Sequence, residues 1–378
     1  MENKWEMLKP SDDDREKIWG KSRTFAGDVW YRFRKKPTAI AGFVIIVILL
    51  ILSFAGPLFT KYSYSDQNLE VVNIPPLMKV FDNPDGGYWY ITQSLKVLKV
   101  NEDGTLEKLY DDDAQKMTVF DDNGKEVGLY YGSKPYLIAD PETRTVYSQS
   151  HVWNKSYLLG TDSLGRDIFT RLMYGARISM MVAFIAAAVN MVIGVLYGGI
   201  SGYIGGTVDT VMMRVVDIIS TIPLVLYVIL IMVFLGDGLQ SIIIAIGSVY
   251  WVDMARVVRG QVLSLKNQEF VMAAKSIGTS TGHILMRHLI PNALGSILVT
   301  VTMLIPSAIF MEAFLSYLGI GIKPPLASLG TMCNDAMEAL KTCPYQLFIP
   351  ALVICVIMFA FNFVGDGLRD ALDPKLKK

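Results

Sequence analysis

Apolar residues gather into six long runs, with polar stretches between them. The first, Ala39 to Phe59, contains no charged residue. The others lie near 177–201, 209–235, 238–258, 293–316 and 347–365. A helix needs about 20 apolar residues to cross the hydrocarbon core of a bilayer, because each residue adds only ~1.5 Å. The pattern predicts an all-α polytopic membrane protein with six transmembrane helices. The third run is the least regular. Asp209, Arg214 and Asp217 precede Pro223 there, which predicts an amphipathic piece or a broken helix leading into the span.

The stretch between the first two runs is a different material. It is polar and acidic, and turn signals punctuate it: Asn83-Pro84-Asp85-Gly86-Gly87, Asp103-Gly104 and Asn123-Gly124. Short β-prone runs such as Tyr88-Trp89-Tyr90-Ile91 and Leu129-Tyr130-Tyr131 sit between the turns. Asp-Gly and Asn-Gly between such runs signal hairpins. A small antiparallel β domain outside the membrane is expected, serving either as a spacer or as a docking surface for an external binding protein. Ahead of the first run, Trp5, Trp19, Phe25, Trp30 and Phe33 alternate with charges, as in an interfacial helix. Ser11-Asp12-Asp13-Asp14 offers a cap for its start.

Charge then orients the chain. Its 378 residues are 52% hydrophobic with a mean hydropathy of +0.38, and 35 Lys+Arg balance 35 Asp+Glu. The balance implies no partner, nucleic acid included, but the distribution is informative. Basic residues cluster at Arg32, Arg34, Lys35 and Lys36; at Arg256, Arg259, Lys266, Lys275 and Arg287; and at Arg369, Lys375, Lys377 and Lys378. Six spans put all three clusters on one side. The positive-inside rule makes that side the cytoplasm, with both termini in it. The charged region before the first run is too long for a cleaved signal peptide, and Ala55-Gly56-Pro57 is a poor cleavage site.

Little in the chain points to catalysis. Gly20-Lys21-Ser22 resembles the end of a phosphate-binding loop, but Arg15 stands where that loop needs glycine. No nucleophile–His–acid set is apparent. Cys333, Cys343 and Cys355, with His151, His283 and His288, have no metal-ligand spacing, so no catalytic or metal residues are assigned. The ten-residue separation of Cys333 and Cys343 permits a disulfide; free thiols are the expected state.

One polar segment stands out. Glu269-Phe270-Val271-Met272-Ala273-Ala274-Lys275-Ser276-Ile277-Gly278 is followed by Ile284 and by Leu289-Ile290-Pro291-Asn292. It predicts a short helix, a glycine turn, a second helix, and a proline entering a span. Ala273 and Ala274 would admit another protein's surface, and Gly278 permits a sharp turn. A rigid elbow and an ordinary amphipathic linker both satisfy the pattern.

This segment resembles the EAA loop of ABC importer permeases. Met272 stands where that loop usually has Glu, and Ile290 is inserted between Leu289 and Pro291. Three more stretches resemble the second permease subunit of the dipeptide/oligopeptide/nickel importer family. They are Gly160-Thr161-Asp162-Ser163-Leu164-Gly165-Arg166-Asp167 with its continuation to Ser179, Glu312 to Gly319 with Lys323-Pro324-Pro325, and Asn362 to Pro374. The last contains Asn362, Gly365, Asp366, Gly367, Arg369 and Asp370. The four motifs fall in the family's order.

The resemblance implies a six-helix type I ABC permease with an inserted β-rich domain. Its organisation would be a cytoplasmic interfacial segment (1–37), helix 1 (38–60), an extracytoplasmic β-rich insertion (61–157), an outer motif (158–176), a permease core holding helices 2–6 (177–368) with a coupling loop (262–292), and a cytoplasmic tail (369–378). The implied partners are a second homologous permease, two ATP-binding subunits that use ATP and Mg, an extracytoplasmic peptide-binding protein, membrane lipid and the peptide substrate. No cofactor would bind this chain. The protein would be a multi-pass component of a bacterial cytoplasmic membrane that carries oligopeptides. A nickel, metal-chelate or other small-solute importer and a membrane sensor or scaffold with a β-rich ectodomain are the alternatives.

Glu269, Ala273, Ala274, Gly278, Ile284 and Pro291 would couple to the ATPase. In the outer motif, Asp162 or Asp167 would cap helix 2 and Arg166 would pair with either, or the motif would act as an outer gate or a receptor contact. Glu312, an acid inside an apolar run, would attract a peptide's amino group, make a packing hydrogen bond or pair with the partner permease. Asp253, three residues from Arg256, is expected to make an intra-helix or interface pair. The glycines at 194, 198, 199, 202, 205 and 206 are read as a helix interface.

Overall fold

The computed structural model describes residues 24–84, 86–94, 96–110, 117–122, 125–130, 137–139 and 146–372. Trp5, Trp19, Ser11 to Asp14, Gly20-Lys21-Ser22, Asp85, Asn123-Gly124, Tyr131 and residues 373–378 lie outside them.

Helix α1 (Phe25–Arg34) starts at Thr24, whose Oγ1 accepts from the Gly27 N–H at 3.3 Å. The chain turns at Lys35 and Lys36, and Pro37 opens α2 (Pro37–Phe59). Proline suits that first turn because its missing N–H would have no helical partner there. Helix α3 (Ile168–Ile204) has 37 residues, about 55 Å, which exceeds a hydrocarbon core of about 30 Å. It begins at Ile168 rather than near 177 because Asp167 caps it.

The next apolar run is split. Helices α4 (Gly206–Thr221) and α5 (Leu224–Leu235) meet at an 89° bend. Ile222 is extended, the conformation imposed on a residue before proline, and Pro223 supplies no N–H to continue the helix. Helices α6 (Leu239–Gly247) and α7 (Trp251–Leu265) form one span. Helix α8 (Glu269–Ser276) follows. Helix α9 (Thr281–Ile284), a π-turn (Leu285–Leu289) and α10 (Ile290–Tyr317) then run as one long span. A short α11 (Leu329–Asp335) precedes α12 (Tyr345–Leu372). Among the described residues five helices are long and apolar enough to cross a membrane, and the expected sixth exists only if the bent pair counts as one.

Spans pack through small residues. Along α3, Gly194, Gly198 and Gly202 face α7. A Cβ at Gly198 would lie 2.2 Å from the Ala255 carbonyl oxygen, and one at Gly202 would lie 2.9 Å from that of Arg259. Lipid gives apolar side chains no reason to leave it, so such close backbone approach is what binds helices together. Gly205 and Gly206, both at positive φ, make the turn into α4.

The polar stretch forms two antiparallel sheets. One has the order β4 (Leu106–Tyr110), β3 (Val97–Val100), β2 (Tyr88–Ile91), β1 (Leu77–Asp82), β8 (Gln149–Trp153). The other has the order β5 (Met117–Asp122), β6 (Lys125–Tyr130), β7 (Leu137–Ala139). The first hairpin turns through Gly86 and Gly87 and another through Gly104, all at positive φ. In the second sheet, Asp122 pairs with Lys125 across the expected Asn-Gly position. Val71, Ile74, Met78, Val80, Tyr90, Leu98 and Val100 are the core of the first sheet.

That domain is tied to the bundle. The Tyr345 hydroxyl lies 3.1 Å from the Ile74 carbonyl and 2.9 Å from that of Thr161. The Gln346 amide donates to Asn73 Oδ1 at 2.7 Å and to the Thr161 carbonyl at 3.0 Å. Gln93 Nε2 reaches Cys343 Sγ at 3.0 Å.

Gly198→Val should loosen the α3–α7 contact and cost at least about 1–3 kcal/mol. Gly260→Ala in α7, where a Cβ meets nothing within 4 Å, should be neutral or stabilising by up to ~1 kcal/mol. Thermal unfolding of the purified protein compares the two; equal effects would remove the packing argument.

Candidate functional site

The elbow lies at one end of the bundle. Gln268 precedes α8 and Glu269 opens it, where a carboxylate complements the helix dipole. Val271 and Ala274 turn inward and join Ile284, Leu285 and Leu289 in a small core with Met254, Val258 and Val262 of α7. Helix α8 ends at Gly278, at φ +80, whose N–H donates to the Lys275 carbonyl at 3.0 Å; the Thr279 N–H donates to that of Ala274 at 3.1 Å. Positive φ and closing bonds of this kind are the usual glycine-terminated helix end. The outward face carries Phe270, Ala273, Met272 and Ile277, the last 83% exposed. Pro291 sits in the first turn of α10.

Ion pairs fix the helices beside the elbow. Asp209 accepts from both Arg259 Nε and Nη2 at 2.6 Å, and from Ser201 Oγ at 2.5 Å. The Lys266 ammonium donates to the Gly202 carbonyl at 2.9 Å. Asp253 and Arg256 lie 3.8 Å apart, and Arg256 also reaches Asp217 at 3.3 Å.

The outer motif forms a buried charge cluster at the opposite end. Asp162 accepts from the backbone N–H of Leu164 and Arg166, each at 2.9 Å, from Arg166 Nε at 2.7 Å, and from Arg171 Nη1. The Nη2 atoms of Arg166 and Arg171 both lie 2.9 Å from Asp335 Oδ2, at the end of α11. Asp167 is the helix cap, accepting from the Thr170 N–H at 2.9 Å. Gly165 fits only as glycine, because a Cβ would lie 1.8 Å from the Asn68 carbonyl oxygen. Gly160 and Thr161 contact Ile74 at the base of the β domain.

Glu312 is fully buried in α10 and accepts from Ser179 Oγ at 2.6 Å and Ser316 Oγ at 2.9 Å. Ser179 also accepts from the Leu329 N–H, at the start of α11.

The family described as "Binding-protein-dependent transport system inner membrane component" matches residues 191–378, and "N-terminal TM domain of oligopeptide transport permease C" matches 24–76. The oligopeptide transport system permease protein OppC of Bacillus subtilis is 40% identical over 376 residues, covering 100% of this chain and 98% of that one. The chain belongs to the binding-protein-dependent permease family. The dipeptide permease DppC of Bacillus subtilis is 37% identical, over 94% of this chain and 88% of its own. The Escherichia coli OppC is 50% identical over 219 residues, covering 58% of this chain and 72% of its own. Strands β1–β8 lie between the two matched regions. As a permease, the chain is a multi-pass inner-membrane transport subunit.

Several sequence expectations change in this permease. Ala274 and Ile284 pack inward, so of the two alanines only Ala273 is open to a partner. Phe270 and Ile277 form the open face that reasoning from the motif missed. Their signal was apolar character off the buried positions 271, 274 and 284. Arg166 pairs with Asp162 and not with Asp167. Asp335 was missed because its partners lie more than 160 positions away. Glu312 makes the hydrogen bonds with Ser179 and Ser316 that the packing alternative expected. In the C-terminal motif, Gly367 admits Ala39 and Phe33, Gly365 touches Met303 and Thr302, and Asp370 pairs with Lys36. Asn362, Asp366 and Arg369 are exposed. Cys333 and Cys343 are free thiols, and burial raises that of Cys333 to about 11.

Removing Asp162 leaves two buried guanidiniums with one carboxylate, so Asp162→Ala should cost about 3–5 kcal/mol. Asp335→Ala should cost less, since that carboxylate is 35% exposed. Burial holds the Asp167 carboxyl above the usual range, against the hydrogen bonds from Thr170. Its contribution to stability is therefore fullest below an unfolded value of about 3.9 and is lost as pH rises through the folded value. Asp167→Asn, which keeps an acceptor for Thr170, should flatten that dependence, whereas Asp167→Ala loses the cap and about 1 kcal/mol. Unfolding followed from pH 4 to 8 reads both; an unaltered profile in Asp167→Asn would contradict the assignment.

Proposed function

We propose that this permease is one half of an ATP-driven importer that carries oligopeptides across the cytoplasmic membrane. The observation that carries the reading is the elbow, an exposed apolar face on a short helix whose other face is packed onto two spans. It is suited to lie in a cleft of an ATP-binding subunit. Two such subunits would supply the energy, using ATP and Mg, and this chain would supply no reacting group. A second, similar permease would complete the path in a type I arrangement. The full-length likeness to oligopeptide and dipeptide permeases supports a peptide as substrate. The basic residues of α1, the elbow and the end of α12 share one end of the bundle, which supports cytoplasmic termini. The β domain then lies outside, where an extracytoplasmic peptide-binding protein would dock.

The mechanism follows from the connectivity. Closure of the ATP-binding subunits would displace α8. Because Val271 and Ala274 are packed against α7 and the start of α10, the displacement passes to both spans. The bundle has two arrangements, and ATP changes their relative populations. Outward opening would move both spans while the elbow stays a rigid unit and the ion pairs at Asp162 and Asp335 stay made.

Gly278→Val should depress peptide uptake with the complex still assembled, because positive φ strains a β-branched residue by about 1–3 kcal/mol. A Cβ there meets nothing, so Gly278→Asn, which tolerates that conformation, should retain much of the activity. The assay is uptake of a labelled pentapeptide into cells lacking the gene and carrying each variant. Competition by unlabelled oligopeptides but not by nickel is the expected result. Full uptake by Gly278→Val would remove the elbow from the mechanism, and failure of peptides to compete would move the substrate elsewhere.

A further inference from the structure

Helix α7 is built inside out for a membrane span. Its exposed residues are Asp253, Arg256, Gly260 and Ser264, while Met254, Val258 and Val262 are buried. With 3.6 residues per turn the four exposed positions share one face. Helix α2 does the reverse and exposes Phe43, Val44, Ile48 and Ile51. Asp253 stands near the middle of the 27-residue span Leu239–Leu265, with its side chain 75% exposed. A carboxylate at that depth faces a wet cavity or a partner, because hydrocarbon leaves its charge unsolvated. The open face of α7 is therefore not a lipid face.

A cavity of about 360 Å³ opens on this face. Asp253 and Arg256 line one side, together with Tyr250 from the break between α6 and α7. Thr221, Ile222 and Pro223, at the bend between α4 and α5, line the other. Two interrupted helices thus meet beside an intramembrane acid. Broken backbone is tolerated at such a depth where it borders protein or a water-filled space.

The charges of the cavity are unevenly answered. Arg256 is engaged: its Nη2 donates to Ser220 Oγ at 2.7 Å and to Asp217 at 3.3 Å. Asp253 lies 3.8 Å from Arg256 Nη1, beyond hydrogen-bond reach, and accepts no hydrogen bond among the described residues. The carbonyl end of α4 adds partial negative charge to the opposite wall. A cation with several donors fits this arrangement, and a primary ammonium has three. Every unmodified peptide has one at its amino terminus, whatever its side chains. A carrier of mixed peptides can hold that group without reading sequence.

We infer, on the oligopeptide reading above, that this cavity is the subsite for the amino terminus of a peptide in transit, with Asp253 accepting from its ammonium. The rest of the peptide would lie along the open face of α7 toward the elbow. Room exists there: a Cβ at Gly260 would meet nothing within 4 Å, and Gln261 borders a second cavity of about 490 Å³.

The test uses the assembled importer in liposomes, with ATP, its binding protein and a pentapeptide with free termini. A photoreactive side chain is placed on the first residue of the peptide or on the last. After illumination during transport, the labelled segments are mapped by mass spectrometry. The first-residue probe should label 219–224 or 249–256 in preference to the last-residue probe. Asp253→Asn should lower that labelling, and uptake, about tenfold, the loss of one charged hydrogen-bond partner, with the second permease still in the complex. Asp253→Glu, which keeps the carboxylate, should recover most of both. Full uptake by Asp253→Asn, or equal labelling of these segments by the two probes, overturns the inference. Loss of the second permease from the Asp253→Asn complex also overturns it and assigns Asp253 to the contact between permeases. Wild type that imports no peptide at all overturns the oligopeptide reading and this subsite with it; intact import with these segments unlabelled overturns the subsite alone.

Discussion

Backbone groups inside a bilayer find no water, so each span must be a closed helix and can hold its neighbour only by fitting against it. In this chain the tightest fit is α3 on α7. Three glycines on one face of α3 let two backbones approach to a distance that any side chain would forbid. The bidentate pair of Arg259 with Asp209, and the bond from Lys266 to Gly202, then fix α7 to α3 and to the start of α4. With α7 held this way, the direction in which the chain leaves it toward α8 is also set.

The two ends of the bundle are held by different physics. At the elbow the contacts are mainly apolar, and a single glycine sets the turn. Close-packed apolar faces move together, which suits a part that passes a push on to the spans behind it. At the other end, two buried guanidiniums meet the buried carboxylate of Asp162 and the partly exposed one of Asp335. Charges in such surroundings must stay paired or suffer a large desolvation penalty, so that end has few intermediate arrangements.

Much of this was legible in the chain itself. Runs of apolar residues mark the spans because the bilayer demands length and little else. Turn signals with glycine mark two hairpins because few other residues reach positive φ. Span ends were read poorly. Helix α3 extends back to Ile168 through Arg171 and Arg177, whose charges broke the apolar run without breaking the helix. The inward turn of Ala274 was hidden because a motif records which residues recur and not which way they face. Asp335 was hidden for another reason: its partners are distant in sequence, and no local pattern encodes the pairing. The position of Glu312 was correctly unusual, but three-dimensional packing decided that serines answer its charge.

The link between the β domain and the last span carries a lesson for anyone trimming this protein. Tyr345 and Gln346 open α12 by bonding to the side chain of Asn73 and to the backbone carbonyls of Ile74 and Thr161. Cutting the β domain away at its base would remove acceptors that these two side chains use, and would uncover the end of a membrane span. The insertion is thus a keystone rather than an ornament. A shortened permease would need new residues at positions 345 and 346 before it could stand without the domain.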